Sequence, residues 1–325
     1  MKMIEHTESY WNKREKALDR KFNKSTNELM KLMKKEYQRV YKQVESEINA
    51  WYVKKMIWEA KGVNQDFHYS ELKELEQTQK AIELLIDELM NIEMRQLTSS
   101  LDDMYISTYQ DMDKLTQQYF QQLEGVVGSS FHTESSNLFH MEQTNRVASM
   151  NLIEERLRRE VDMAHLSKKI WDDEQILKHG LDWYGEGFGG DKFSHRIERR
   201  RAIVKHQINE ALKNAMIKGS SVDKCTKDIM ERLNVSYSSA KRLAHNELTY
   251  AQHCASSKEM KNNGFNYVKR KTVKDSKVCP ICKKHEGEVI PIDTYEKNPS
   301  IGILHVNCRD FFCPILIMEQ AELVK

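Results

Sequence analysis

Proline is almost missing from this chain until its last fifty residues: only Pro280, Pro291, Pro299 and Pro314 occur among 325 positions. Glycine is scarce as well, with twelve, several of them gathered around Gly185–Gly190. Proline breaks helices and glycine weakens them. The stretch from Met1 to Cys279 is therefore expected to be helical, and the tail to be turns and strands. Long apolar runs are missing too, with none reaching the roughly eighteen residues of a membrane span, so no transmembrane helix and no membrane partner are expected. The start, Met1-Lys2-Met3-Ile4-Glu5-His6, lacks the apolar stretch of a secretory signal. Synthesis in the cytoplasm follows, where thiols stay reduced and a Cys-x-x-Cys means metal more often than disulfide. A large net charge is absent: 51 basic against 49 acidic residues leave +2, which excludes a histone-like DNA condenser. The length allows two domains or one extended one.

What is present first is helical periodicity. Trp11, Leu18, Phe22, Leu29, Met33, Tyr37, Val40, Val44, Ile48 and Trp51 recur at steps of three, four and seven, one face of a long helix over 8–60. Residues 1–60 carry 14 basic against 9 acidic side chains. Gly62 to Tyr69 interrupts the pattern, and Ser70 is a candidate cap for a second helix over 70–124, with Leu75, Ile82, Ile86, Leu89, Leu97, Leu101 and Tyr119 on its apolar face. Here the charge reverses, to 13 acids against 4 bases over 64–124. Two adjacent long helices of opposite sign are expected to pair antiparallel.

Gly125 to Ser130 reads as a loop, residues 133–179 as mostly helical, and Gly185, Gly187 and Gly190 as a hinge over 181–192. Those three glycines formally fit G-x-G-x-x-G, but a dinucleotide site needs a strand before it, and a helical, Trp-bearing segment stands there instead. From Ser194 the chain turns basic: Arg196, Arg199, Arg200, Arg201 and Lys205 lead a helix that ends at Gly219, and these are the candidate nucleic-acid contacts. Ser221 is expected to start a helix ending near Leu233, and Ser236 another ending near Asn262, closed by Gly264. Strands are expected at 265–274, 289–292 and 311–317.

The chemistry gathers in the tail. Cys279-Pro280-Ile281-Cys282 puts two thiolates on one tight turn, with Gly287 suiting a hairpin after it, and His305-Val306-Asn307-Cys308 can close the opposite side of a tetrahedron. Zn²⁺ takes four such N/S donors in a structural site. Cys279, Cys282, His305 and Cys308 are the expected ligands, with Cys313 and His285 as substitutes. Cys225 and Cys254 read as buried free thiols on helices. The overall expectation is a mainly α protein, with long antiparallel helices in the N-terminal half (1–180) and an α+β C-terminal domain (193–325) holding a small zinc-knuckle-like β region at 277–314.

The ordered set Phe193-Ser194-His195-Arg196-Ile197, Arg242…Asn246-Glu247, Asp275, Cys279-x-x-Cys282, Gly287 and His305-x-x-Cys308-Arg309 resembles the phage head morphogenesis domain of the phage Mu protein F-like minor head proteins. The likeness covers about the last two-fifths of the chain. Tyr10-Trp11-x-x-Arg14 is also similar to minor head proteins of phages of Gram-positive hosts. The chain departs from the pattern where the family often has a cysteine just after the arginine: here that residue is Asp310, with Cys313 further on. Ile303-Leu304 replace the usual prolines before the histidine, and Asn246 replaces the usual threonine.

The resemblance implies a virion protein in the head interior or at the portal vertex, made in the bacterial host. Portal, capsid and scaffold proteins would be its partners, and its role would lie in capsid assembly and in DNA packaging or exit. The alternatives are an ejected protein binding DNA nonspecifically and a zinc-dependent nucleic-acid enzyme. Catalysis is not expected. A zinc deaminase needs His-x-Glu ahead of Pro-Cys-x-x-Cys, whereas here Val278 precedes the first cysteine and His285-Glu286 follow the pair.

Overall fold

The computed structural model describes residues 2–60, 65–134, 191–273 and 278–315. Within them run α1 (Lys2–Ala60), α2 (Gln65–Glu134), α3 (Phe193–Lys218), α4 (Val222–Asn262), β1 (Tyr267–Lys271), α5 (Pro280–His285), β2 (Val289–Pro291), α6 (Ile292–Lys297), a 3-10 turn (Pro299–Gly302) and β3 (Phe311–Ile315). The protein is mainly helical, and its antiparallel sheet, in the order β2-β1-β3, lies in the C-terminal region, with its central strand β1 ahead of the first proline and within the stretch that the scarcity of proline marks as helical. The helix expected over 133–179 and the hinge at 181–192 fall almost wholly outside the described residues.

Three boundaries differ from the sequence expectation. The second helix begins at Gln65 and not near Ser70, and it runs through Gly125 and Gly128 to Glu134 instead of opening into a loop. A glycine inside a helix costs only about 1 kcal/mol, which a helix of 70 residues can carry. The helices expected on either side of Ser236 are one, Val222–Asn262. Asn234-Val235-Ser236 contains no glycine or proline, and the buried Ser236 hydroxyl finds a partner in Tyr37. A serine can therefore sit mid-helix without starting a new one.

The chain divides into two compact units, each assembled from separate pieces. One draws on the described residues of Lys24–Leu101 and Glu186–Glu247. Its core includes Leu29, Met33, Tyr37, Val40, Val44, Ile48 and Trp51 of α1 and Ile82, Ile86, Leu89 and Leu97 of α2, all buried. Ion pairs Arg39–Glu88 at 2.9 Å and Lys54–Glu74 at 2.7 Å show α2 receding as α1 advances, the antiparallel pairing that the opposed charges suggest. Such exposed pairs contribute only about 0–1 kcal/mol each, so the apolar seam holds the helices and the charges select the orientation.

A polar knot lies within that seam. The Tyr37 hydroxyl donates to Glu93 Oε2 at 3.0 Å and sits 3.3 Å from Ser236 Oγ, while Arg200 closes on the same carboxylate. Burial pushes the Glu93 carboxyl above its ordinary range, against the opposing pull of Arg200. Tyr37→Phe removes a donor from a buried charge, and such bonds contribute about 1.5–3 kcal/mol. The variant should lower the denaturation midpoint without changing its slope; a midpoint equal to that of the parent would show that the knot adds nothing.

The second unit takes the described residues of Met1–Asn23, Asp102–Gly185 and Leu248–Lys325. Tyr10, Trp11, Met112, Tyr119, Phe120, Met260, Phe265, Val268, Ile290, Tyr295 and Phe312 form one apolar cluster. Phe120 stacks on Phe265 with centroids 5.6 Å apart, and Tyr10 donates to the Leu115 carbonyl at 2.6 Å. Gly264, at φ +78°, ends α4, and the Phe265 amide returns to the Met260 carbonyl. That left-handed turn lets the chain leave the helix and enter β1. β1 pairs with β2 through Val268↔Ile290 and with β3 through Val268↔Pro314. Pro314 is tolerated because β3 is an edge strand.

Candidate metal centre

The Cys-x-x-Cys is built on a helix start instead of the simple turn into a hairpin that its spacing suggests. Cys279 is the N-cap of the six-residue α5, its Sγ accepts from the Cys282 amide at 3.3 Å, and Pro280 fills the first helical position. A capping residue and the residue three places on lie on the same side of a helix start, so both sulfurs point one way. Gly287, at φ +84°, then turns the chain so that its amide donates to the Arg270 carbonyl of β1 at 3.0 Å.

The opposing corner follows the 3-10 turn. The Cys308 amide donates to the His305 carbonyl at 3.0 Å, with Asn307 in the left-handed region at φ 62°. His305 Nδ1 donates to the Val306 carbonyl at 2.8 Å, which leaves the Nε2 lone pair facing the sulfurs. That nitrogen is 3.1 Å from Cys279 Sγ and 3.0 Å from Cys282 Sγ, and Cys282 Sγ is 3.8 Å from Cys308 Sγ. With Zn–S of about 2.3 Å, the edge of a thiolate tetrahedron is about 3.8 Å, so the Cys282–Cys308 edge already has the required length. The N···S edges would open by about half an ångström.

Two triads emerge, Cys279/Cys282/His305 and Cys282/Cys308/Asp310, and Cys282 belongs to both. Three of the four expected ligands, Cys279, Cys282 and His305, thus meet from two parts of the tail, and Cys308 joins them through Cys282 in the second triad; sulfur and imidazole donors of this kind suit Zn²⁺. The Cys279 thiol is lowered below its ordinary range, first by the Cys282 amide and also by His305. Burial pushes the Cys282 thiol up, so a cation beside it would be needed to hold it as thiolate.

The two substitute ligands lie elsewhere. Cys313 belongs to the apolar cluster with Tyr295 and Phe312, and His285 Nδ1 faces Glu288 Oε2 at 3.5 Å. The five basic candidates on α3 have partners within their own unit. Arg196 pairs with Glu247, Arg200 with Glu93, and Lys205 with Asp87 at 2.6 Å. Arg201 reaches Glu198 at 3.2 Å, and Arg199, the most exposed at 67 %, reaches Asp191 at 3.3 Å.

Three residues that sequence reasoning did not single out shape the centre. Arg270, 1 % exposed, donates to Glu288 at 3.0 Å, to the Ile301 carbonyl at 2.7 Å and to the Gly302 carbonyl at 3.3 Å, and lies over the Phe312 ring. It ties β1 to the segment that carries His305 and Cys308. His253 of α4 is buried against Tyr295, with Nδ1 2.5 Å from the hydroxyl, and burial, then Arg270, lower its pKa to about 3. The imidazole is neutral at pH 7 and acts as packing. Asp310 completes the second triad. Its position after Cys308-Arg309, where the resembling family often has cysteine, was the one signal that could have found it.

The His253 ring also explains Gly302. A Cβ there would stand 2.3 Å from His253 Cε1, inside a buried ring. Overpacking of this kind costs about 1–3 kcal/mol. Gly302→Ala should therefore lower the melting temperature of this unit, and Gly302→Ala with His253→Ala should recover part of the loss. No recovery in the double variant would show that the ring is not what Gly302 accommodates.

Residues 206–313 match the family described as phage Mu protein F like protein. No curated protein and no solved structure matches the chain. The matched stretch begins inside α3, takes in both metal triads and ends at Cys313. Over these residues, about a third of the chain, the sequence is similar to the phage Mu protein F-like family.

Proposed function

We propose that this chain is a minor structural protein of a phage head, in which a zinc ion fastens the C-terminal β region. It would work in the head interior or at the portal vertex, among portal, capsid and scaffold proteins, during assembly and DNA packaging or exit. The observation that supports this reading is the pair of triads Cys279/Cys282/His305 and Cys282/Cys308/Asp310, joined at Cys282, inside the family-matched stretch. Zn²⁺ would be held by Cys279, Cys282, His305 and Cys308 as a closed structural ion, fastening the short strands of the tail. Mass spectrometry of purified particles, before and after genome release, tests the role. The chain should be present in intact particles at low copy number, and its absence from them would sink the reading.

Nonspecific DNA contact through α3 is the second reading, favoured only by the exposure of Arg199. The other four basic residues spend their charge on Glu93, Glu247, Glu198 and Asp87. Retention on DNA at low salt that Arg199→Glu abolishes would support this reading; equal retention by the variant would dismiss it.

A further inference from the structure

Asp310 is 5 % exposed and faces the thiols of Cys282 and Cys308. Among the described residues its Oδ2 has no hydrogen-bond partner. The Arg270 guanidinium forms an ion pair with Oδ2 at 3.7 Å, beyond hydrogen-bond reach, while it also donates to Glu288 and to the carbonyls of Ile301 and Gly302. The side chain is nonetheless hydrogen-bonded to the Cys282 and Cys308 thiols, the position of a buried carboxylate that can coordinate a metal beside sulfur. One ligand atom of this carboxylate lies within 4.8 Å of the sulfurs of both Cys282 and Cys308. Carboxylate oxygen is an ordinary ligand for Zn²⁺ beside sulfur.

The two triads also differ in depth. Cys282, Cys308 and Asp310 are all buried, whereas Cys279 and His305 are only half-buried. The two triads joined at Cys282 thus offer five donor groups to an ion that takes four, one an outer imidazole and one an inner carboxylate.

Resting on the metal reading above, we propose that Asp310 is a ligand of the ion and takes the place of His305 when that imidazole is lost. Cys279, Cys282, Cys308 and Asp310 then make a complete set. The centre tolerates loss of its outermost donor, and a weaker, harder oxygen stands in for nitrogen.

The test uses the full chain with Zn²⁺ and, as a spectroscopic probe, Co²⁺. Wild type, H305A, D310N and H305A/D310N are loaded and passed over a sizing column. Bound metal per chain, affinity from competition with a chelator, and the visible absorption of the cobalt form are then read. Wild type and H305A should each retain one ion, with H305A weaker by about tenfold or more, the scale of changes around metal ligands. Its cobalt bands should differ from those of wild type. H305A/D310N should lose the ion.

Equal affinity in H305A and H305A/D310N would overturn the proposal, as would loss of the ion from H305A alone. The H305A result keeps the proposal falsifiable even where D310N fails to fold. A wild-type chain that holds no zinc would bring down the metal reading itself. A wild-type chain that holds zinc while H305A does not would bring down only the role of Asp310.

Discussion

Replacing Cys282 with serine should abolish zinc retention and melt the β region while leaving the unit built on Lys24–Leu101 and Glu186–Glu247 folded. Cys282 is the only donor common to both triads, and its sulfur lies 3.0 Å from His305 Nε2 and 3.8 Å from Cys308 Sγ. Structural zinc contributes about 10–16 kcal/mol in small zinc-finger peptides. Hydrogen exchange of the Val268 and Arg270 amides in β1 is the readout, because those strand positions pair with β2, β3 and the turn at Glu288. Addition of a strong chelator to the wild type should have the same effect. Protection at β1 that is unchanged by either treatment would show that the region holds without an ion. Acid should mimic the chelator, since protons compete with the metal for its donor atoms.

Arg270→Ala should be the most damaging substitution at a residue that is not itself a candidate ligand. Its guanidinium serves Glu288, Ile301 and Gly302 at once from a position 1 % exposed, and Asp310 lies 3.7 Å away. Removing one side of a buried charge network costs about 3–5 kcal/mol, because the remaining groups are left without compensation. Arg270→Lys should recover little, since an ammonium cannot reach two carbonyls and a carboxylate in one plane. The expected result is a lower midpoint in chemical denaturation together with weaker zinc retention, since the fork positions the segment bearing His305 and Cys308. Weaker retention with an unchanged midpoint would place Arg270 at the metal alone, and neither change would remove it from this account.

Much of the architecture is legible in residue order. Proline confined to the tail marks where helices stop, since its ring and missing amide forbid a helix interior. The apolar steps of α1, from Leu29 to Trp51, are the buried face as observed. The opposed charges of α1 and α2 announce an antiparallel pair, realised as Arg39–Glu88 and Lys54–Glu74. Where sequence reading misplaced boundaries, at Ser236 and at Gly125, it treated local propensity as decisive. A long helix with a buried face absorbs one serine or two glycines, because tertiary packing supplies far more than about 1 kcal/mol.

The metal candidates divide along the same line. The spacing of Cys279-x-x-Cys282 and His305-x-x-Cys308 is a local property, so it names the donors without the fold. Which further donor joins them depends on residues far apart in sequence. The fold sends Cys313 into the apolar cluster and draws His285 to Glu288, leaving Asp310 beside the sulfurs.

Order and periodicity alone thus determine a helical chain with a turn-rich, metal-prone tail, because helix propensity, charge sign and ligand spacing act between near neighbours. Only the tertiary structure decides that the arginines of α3 meet carboxylates within their own unit, that Arg270 clasps the 3-10 turn, and that the Asp310 carboxylate is buried beside the sulfurs of Cys282 and Cys308. Each of these depends on where the burial of apolar surface places a charge. A buried charge must find its partner in space, whatever the distance along the chain.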